Sequence, residues 1–138
     1  MFAEHVHERV LAPVDHRHIV FSLPKRLRAF FRYDRSLHGI LFTAAWQTIC
    51  SQIEGGNPGL ILVVQTAGES LNHNPHLHGI LSDGIWGPDG TFIPFVTPLD
   101  TSLLVNNFAA RVTDALVARE LLHPVHAEAL LAQVHTGF

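Results

Sequence analysis

Eleven histidines are spread over 138 residues, and three pairs fall at His-x-His spacing: His5-Val6-His7, His16-Arg17-His18 and His76-Leu77-His78. With so many histidines such pairs arise by chance, so spacing alone says little. The setting of the third pair distinguishes it. Pro75 precedes it, in keeping with the first position of a strand, and Gly79-Ile80-Leu81 follows. In a strand, residues i and i+2 project from one face, so His76 and His78 can reach one ion while Leu77 points into a core. Two neutral imidazoles are too few for a closed structural site. A third ligand would still leave positions open for water and a substrate oxygen, which suits catalysis better than scaffolding. The bland alternative is two ordinary histidines on a half-exposed strand.

Gln65 is the polar exception in the apolar segment Leu60 to Thr66, and antiparallel pairing would set it beside the two imidazoles. It is the first candidate for a third ligand, with His18 and His73 as rivals. Histidine-rich sets suit manganese, zinc or iron, whereas magnesium prefers oxygen, so these residue types leave the ion open.

A second feature is electrostatic. Arg17, Lys25, Arg26, Arg28, Arg32 and Arg35 lie within one short stretch against Asp34 alone, while the whole chain carries a formal charge of -3. A basic patch on an otherwise acidic domain is a footprint for a polyanion such as a phosphate backbone, or else a solvated helix face. Tyr33, the one tyrosine, sits in this stretch and reads as a packing or phosphate-contacting side chain rather than a nucleophile.

The elements that must position these residues follow from pattern. Ile19 to Leu23 alternates as a strand, with Ile19, Phe21 and Leu23 on one face and His18, Val20 and Ser22 on the other. Pro24 suits the first turn of a helix that carries Lys25, Arg28 and Arg32 on one side. Asp34 or Ser36 caps a second, well-buried helix to about Gln52. After the breaker Glu54 to Gly59, Leu60 to Thr66 reads as an interior strand. A polar stretch from Ala67 to Asn74 leads into the histidine strand, which should turn at Ser82-Asp83-Gly84. The turn Gly87-Pro88-Asp89-Gly90 precedes a strand from Thr91 to Val96. Asp100 or Thr101 caps a helix to about Leu122, and Pro124 opens a last one. This order predicts an α+β domain, helices packed on one side of a mainly antiparallel sheet.

Composition bounds the rest. At 47% apolar and 15% charged residues, the chain reads as one globular domain over residues 1–138. Lone Cys50 excludes a disulfide framework and a cysteine zinc ribbon within the chain. No signal peptide or membrane span is read, so a cytoplasmic setting is expected.

The segment from Val64 and Gln65 through Asn72-His73-Asn74-Pro75-His76-Leu77-His78-Gly79 to Asp83-Gly84 closely resembles the His-hydrophobic-His (HUH) region of bacterial rolling-circle insertion-sequence transposases of the two-tyrosine group. His16 to Arg28 and Phe31-Arg32-Tyr33-Asp34-Arg35 are similar to that family's upstream segment, and Pro88 to Phe92 to its following hairpin. The resemblance implies an HUH-endonuclease-like fold and transposition by nicking and joining single-stranded DNA. His76, His78 and a third polar side chain would hold a divalent cation, manganese or magnesium, that polarises the scissile phosphate. A tyrosine would attack to give a 5'-phosphotyrosine, and Arg17, Lys25, Arg26, Arg28, Arg32 and Arg35 would bind the DNA backbone. In the family a zinc ribbon precedes this region and a tyrosine-bearing segment follows it. Neither is found in these residues, so the expectation is a partial transposase, truncated and inactive alone.

Two other readings stand beside it. One is a non-catalytic nucleic-acid-binding remnant. The other is a metal-dependent small-molecule enzyme, such as a cupin, which would be nearly all β, or a histidine-triad hydrolase, which would need histidine where Asn74 or Ile80 stands.

Overall fold

The histidine pair lies on the longest strand of the sheet, and every other strand is arranged around it. The computed structural model describes residues 2–67, 73–133 and 137–138. β1 is His16–Phe21, β2 Asn57–Ala67, β3 His73–Trp86 and β4 Phe92–Pro94. They form a four-stranded antiparallel sheet in which β3 is flanked by β1 and β2, with β4 also pairing to β3. The helices are α1 (Phe2–His5, continuing as a π-helical turn to Val10), α2 (Lys25–Tyr33), α3 (His38–Cys50), α4 (Thr101–Ala118) and α5 (Pro124–Leu131). The architecture is α+β, helices packed against an antiparallel sheet. No described helix is long and apolar enough to cross a membrane.

Alternation along β3 divides the sheet into two unlike faces. Leu77 and Leu81 are fully buried and join Phe21, Leu27, Phe31, Leu41, Phe108, Val112 and Leu116 in the core. His76, His78 and Ile80 point the other way, with Val20, Ile61 and Val63 as cross-strand neighbours. Val20 and Val63 are about half exposed, so this face is open. Between the two leucines stands Gly79. A Cβ there would lie 2.7 Å from Ile19 Cγ2 and 2.9 Å from Leu62 Cδ2, so its lack of a side chain lets β1 and β2 close over β3.

Three expectations change. Leu60 to Thr66 belongs to an edge strand, since among the described residues β2 pairs with β3 only; the histidine strand is the interior one. β3 does not turn at Ser82-Asp83-Gly84 but continues to Trp86. The polar residue there serves the ladder instead: buried Ser82 Oγ accepts from Gly59 N at 2.8 Å and donates to Gly84 O at 2.7 Å, satisfying groups freed where the β2–β3 register shifts. β1 starts at His16, drawn three residues further than its apolar alternation by pairing with Ser82, Leu81 and Ile80.

Helix starts follow the capping chemistry. Asp100 accepts from Leu103 N at 3.0 Å, and Asp34 from Ser36 N at 2.9 Å, though Asp34 caps a 3-10 turn, Arg35–Leu37, that precedes α3. The turn Gly87 to Gly90 forms as read, closed by Gly87 N to Thr91 O at 2.9 Å. Of the polar stretch between the strands, residues 68–72 lie outside the described residues, as do residues 134–136 near the end.

Gly79→Ala is expected to destabilise the protein by about 1–3 kcal/mol through overpacking against Ile19 and Leu62, measured by urea unfolding.

Candidate metal and nucleic-acid site

Each of the two paired histidines has its Nδ1 within hydrogen-bond distance of a partner. His76 Nδ1 lies 2.6 Å from Asn74 O. A carbonyl oxygen only accepts, so the proton is on Nδ1 and the lone pair of the neutral ring on Nε2. His78 Nδ1 lies 3.0 Å from His18 Nε2, with the two ring planes 9° apart. One of these two nitrogens therefore carries the proton. The His76 and His78 ring centres are 4.8 Å apart. The register explains the contact: His78 sits opposite Val20, and His18 is two residues back along the same face of β1.

The three candidates for a third ligand now separate. His18 is engaged with His78. His73 begins β3 and turns to α2, where it lines a cavity away from the pair. Gln65 stands directly opposite His76 in the β2–β3 ladder, and its Nε2 donates to Ala67 O at 3.4 Å. That bond commits the amide nitrogen and leaves the amide oxygen as the atom available to an ion. Among the described residues no three His, Cys, Asp or Glu side chains come together as an ion-binding group. Among the described residues, a third ligand at the pair is therefore of another type, which the Gln65 amide oxygen is.

The basic stretch, contiguous in sequence, is divided in space. Lys25, Arg28, Ala29, Arg32 and Tyr33, at spacing i, i+3, i+4, i+7 and i+8, form one stripe of α2 and with His73 line a cavity of about 440 Å³. Arg26 falls on another side, in a pocket with Phe30, Leu122 and His126. Arg17 is ion-paired with Asp83 near the other end of β3, and Arg35 is exposed on the 3-10 turn. Sequence reasoning grouped all six by proximity along the chain; helical phase and the strand boundary separate them. It gave no role to the Asn74 carbonyl, because a backbone contact leaves no mark in residue types.

Burial lowers the pKa of His78 below the ordinary 6.5, and the neighbouring charges of His76 and His18 add to it. His73 is lowered too, by burial first and then by Arg32 and His38. Both rings are thus held in the neutral form that binds metal or shares a hydrogen bond. A histidine with a depressed folded pKa binds fewer protons folded than unfolded. Stability is then constant above the unfolded value and falls as pH drops from about 6.5 through the folded pKa. Ring NMR titration of the metal-free protein is expected to place the His78 midpoint below 6.5, with thermal stability declining over the same acid range.

Comparison with known proteins gives a match over part of the chain. It is 35% identical over 80 residues, 54% of its length, to a protein of Sinorhizobium fredii (strain NBRC 101917 / NGR234) named "Putative transposase y4qJ". No protein-family model matches, and no solved structure matches. The chain covers 20% of the length of that relative. The similarity to a protein of that name is thus partial on both sides, and it is of a transposase-like kind.

Proposed function

We propose that these residues form the metal- and DNA-binding part of a transposase of the HUH kind, serving metal-dependent nicking and joining of single-stranded DNA. The observation that carries the reading is the Nδ1 proton of His76 held on a backbone carbonyl, beside a second imidazole on the same strand face. A hydrogen bond from the ring nitrogen facing away from the ion is what fixes the tautomer and orientation of metal-binding histidines. His76 would bind through Nε2. His78 would do so when its Nδ1–H donates to His18 Nε2, which makes His18 a positioning residue. Gln65 would add its amide oxygen. A divalent cation, manganese or magnesium, supplies Lewis acidity toward a phosphate oxygen when bound there.

The DNA part of the reading is supported by the stripe Lys25, Arg28 and Arg32, which lie on one side of one cavity. Cations in such a row neutralise successive phosphates. A second reading, DNA binding without a metal, is favoured by the absence among the described residues of a third acidic or histidine ligand at the pair.

Calorimetric titration with manganese separates the two. One ion is expected to bind the wild type, with binding lost in His76→Ala/His78→Ala. His18→Ala should weaken it about 10- to 100-fold, as loss of an outer-shell partner does, and Gln65→Ala should weaken it further than that. Absence of binding by the wild type to either manganese or magnesium refutes the metal site. Affinity for a single-stranded oligonucleotide should fall with salt, and each alanine at Lys25, Arg28 or Arg32 should flatten the log–log slope by about 0.7.

A further inference from the structure

We infer that the cavity between α2 and the start of β3 is a subsite for one unpaired nucleotide of a DNA strand, its base stacked on Tyr33 and its phosphate held by Lys25, Arg28 and Arg32. The inference rests on the DNA-binding reading above and deepens it by naming what the cavity takes.

Tyr33 ends α2 with 84% of its surface exposed, while Phe31 two residues earlier is fully buried. An aromatic ring kept in water at the lip of a cavity contributes nothing to the core. Its face is instead covered in part by Arg32, whose guanidinium carbon lies 5.6 Å from the ring centre. A cation beside an open π-face is the combination that single-strand-binding proteins use to stack bases.

The polar groups around the ring fit a phosphate. Among the described residues Lys25, Arg28 and Arg32 make no ion pair. The nearest carboxylate along the chain, Asp34, is spent on Ser36, accepting from its N at 2.9 Å and its Oγ at 2.6 Å. Arg28 donates from Nε to Leu23 O at 3.0 Å, which anchors the guanidinium and leaves its two terminal nitrogens for a ligand. His73 Nε2, on the opposite wall, is shielded from water and has no hydrogen-bond partner among the described residues. An inorganic anion or an acidic peptide would use the cations and ignore the ring; a nucleotide uses both. The cavity of about 440 Å³ is of the size small ligands occupy.

The ring makes the claim testable, because a base offers its π-face only when unpaired. Binding of a fluorescent single-stranded DNA 12-mer would be followed by anisotropy in EDTA, with the RNA of the same sequence and the DNA duplex as parallel probes. Tyr33→Leu is expected to weaken single-strand binding about 5- to 150-fold and to leave duplex binding within about twofold, while Tyr33→Phe retains affinity. Arg119→Ala, which removes a cation at the C-terminal end of α4 away from the cavity, should have little effect on either. Circular dichroism melts of Tyr33→Leu should match the wild type, since the ring is exposed. Equal weakening of single strand and duplex, or none of either, overturns the nucleotide subsite while leaving the backbone patch in place. No single-strand binding by the wild type overturns the subsite and the DNA reading together. Tight Tyr33-dependent binding of RNA with none of DNA overturns the assignment to DNA.

Discussion

The pairing of β3 between β1 and β2 is the constraint on which the rest depends. Because side chains alternate, a strand held on both edges must commit one set of residues to each face. Leu77 and Leu81 are buried under the helices, and that burial, about 1.5–3 kcal/mol for each such side chain, sets the phase of the whole strand. His76 and His78 are consequently displayed on the open face. A slip of one residue would bury two imidazoles and expose two leucines, so the packing of the core and the presentation of the histidines are a single event. Gly79 is part of the same constraint, since a Cβ there would meet Ile19 of β1 and Leu62 of β2.

The polar contacts around the pair do a second kind of work. An imidazole without a fixed tautomer presents either nitrogen. Here Asn74 O defines the proton position on His76, and His18 stands against Nδ1 of His78. These partners come from the irregular start of β3 and from the neighbouring strand β1. The β2–β3 register shifts twice, near Gln65–Ala67 beside the histidine pair and near Pro58–Leu60, where Ser82 satisfies Gly59 N and Gly84 O. On the other side of the molecule, α2 uses one face for Leu27 and Phe31 in the core and another for its cationic stripe. The opposed faces let a short helix contribute to stability and to charge display together.

Much of this was legible before any coordinates. Alternation around Leu77 placed the histidines on one strand face, and the capping of α4 by Asp100 and the turn at Gly87 to Gly90 were readable from residue types. The failures have identifiable causes. Leu60 to Thr66 looked interior because valine and isoleucine are rich there, yet β2 is an edge with apolar residues on an open face. Ser82-Asp83-Gly84 looked like a turn because serine, aspartate and glycine favour turns. In the fold Ser82 bonds to Gly59 and Gly84, and a Cβ at Gly84 would collide with Ile93 of β4.

By itself, the sequence determined the periodicities: which residues share a strand or helix face, where caps and breakers stop elements, and which residue types offer metal-binding or phosphate-binding chemistry. These are local properties, carried by spacing and by the conformational preferences of single residues. Only the tertiary structure decided which of three candidate ligands stands opposite His76, that His18 reaches His78, and that Arg17 and Arg26 part from Lys25, Arg28 and Arg32. Those outcomes depend on strand order, register and helix phase. Each is settled by contacts between residues many positions apart, whose combined free energy no single segment encodes.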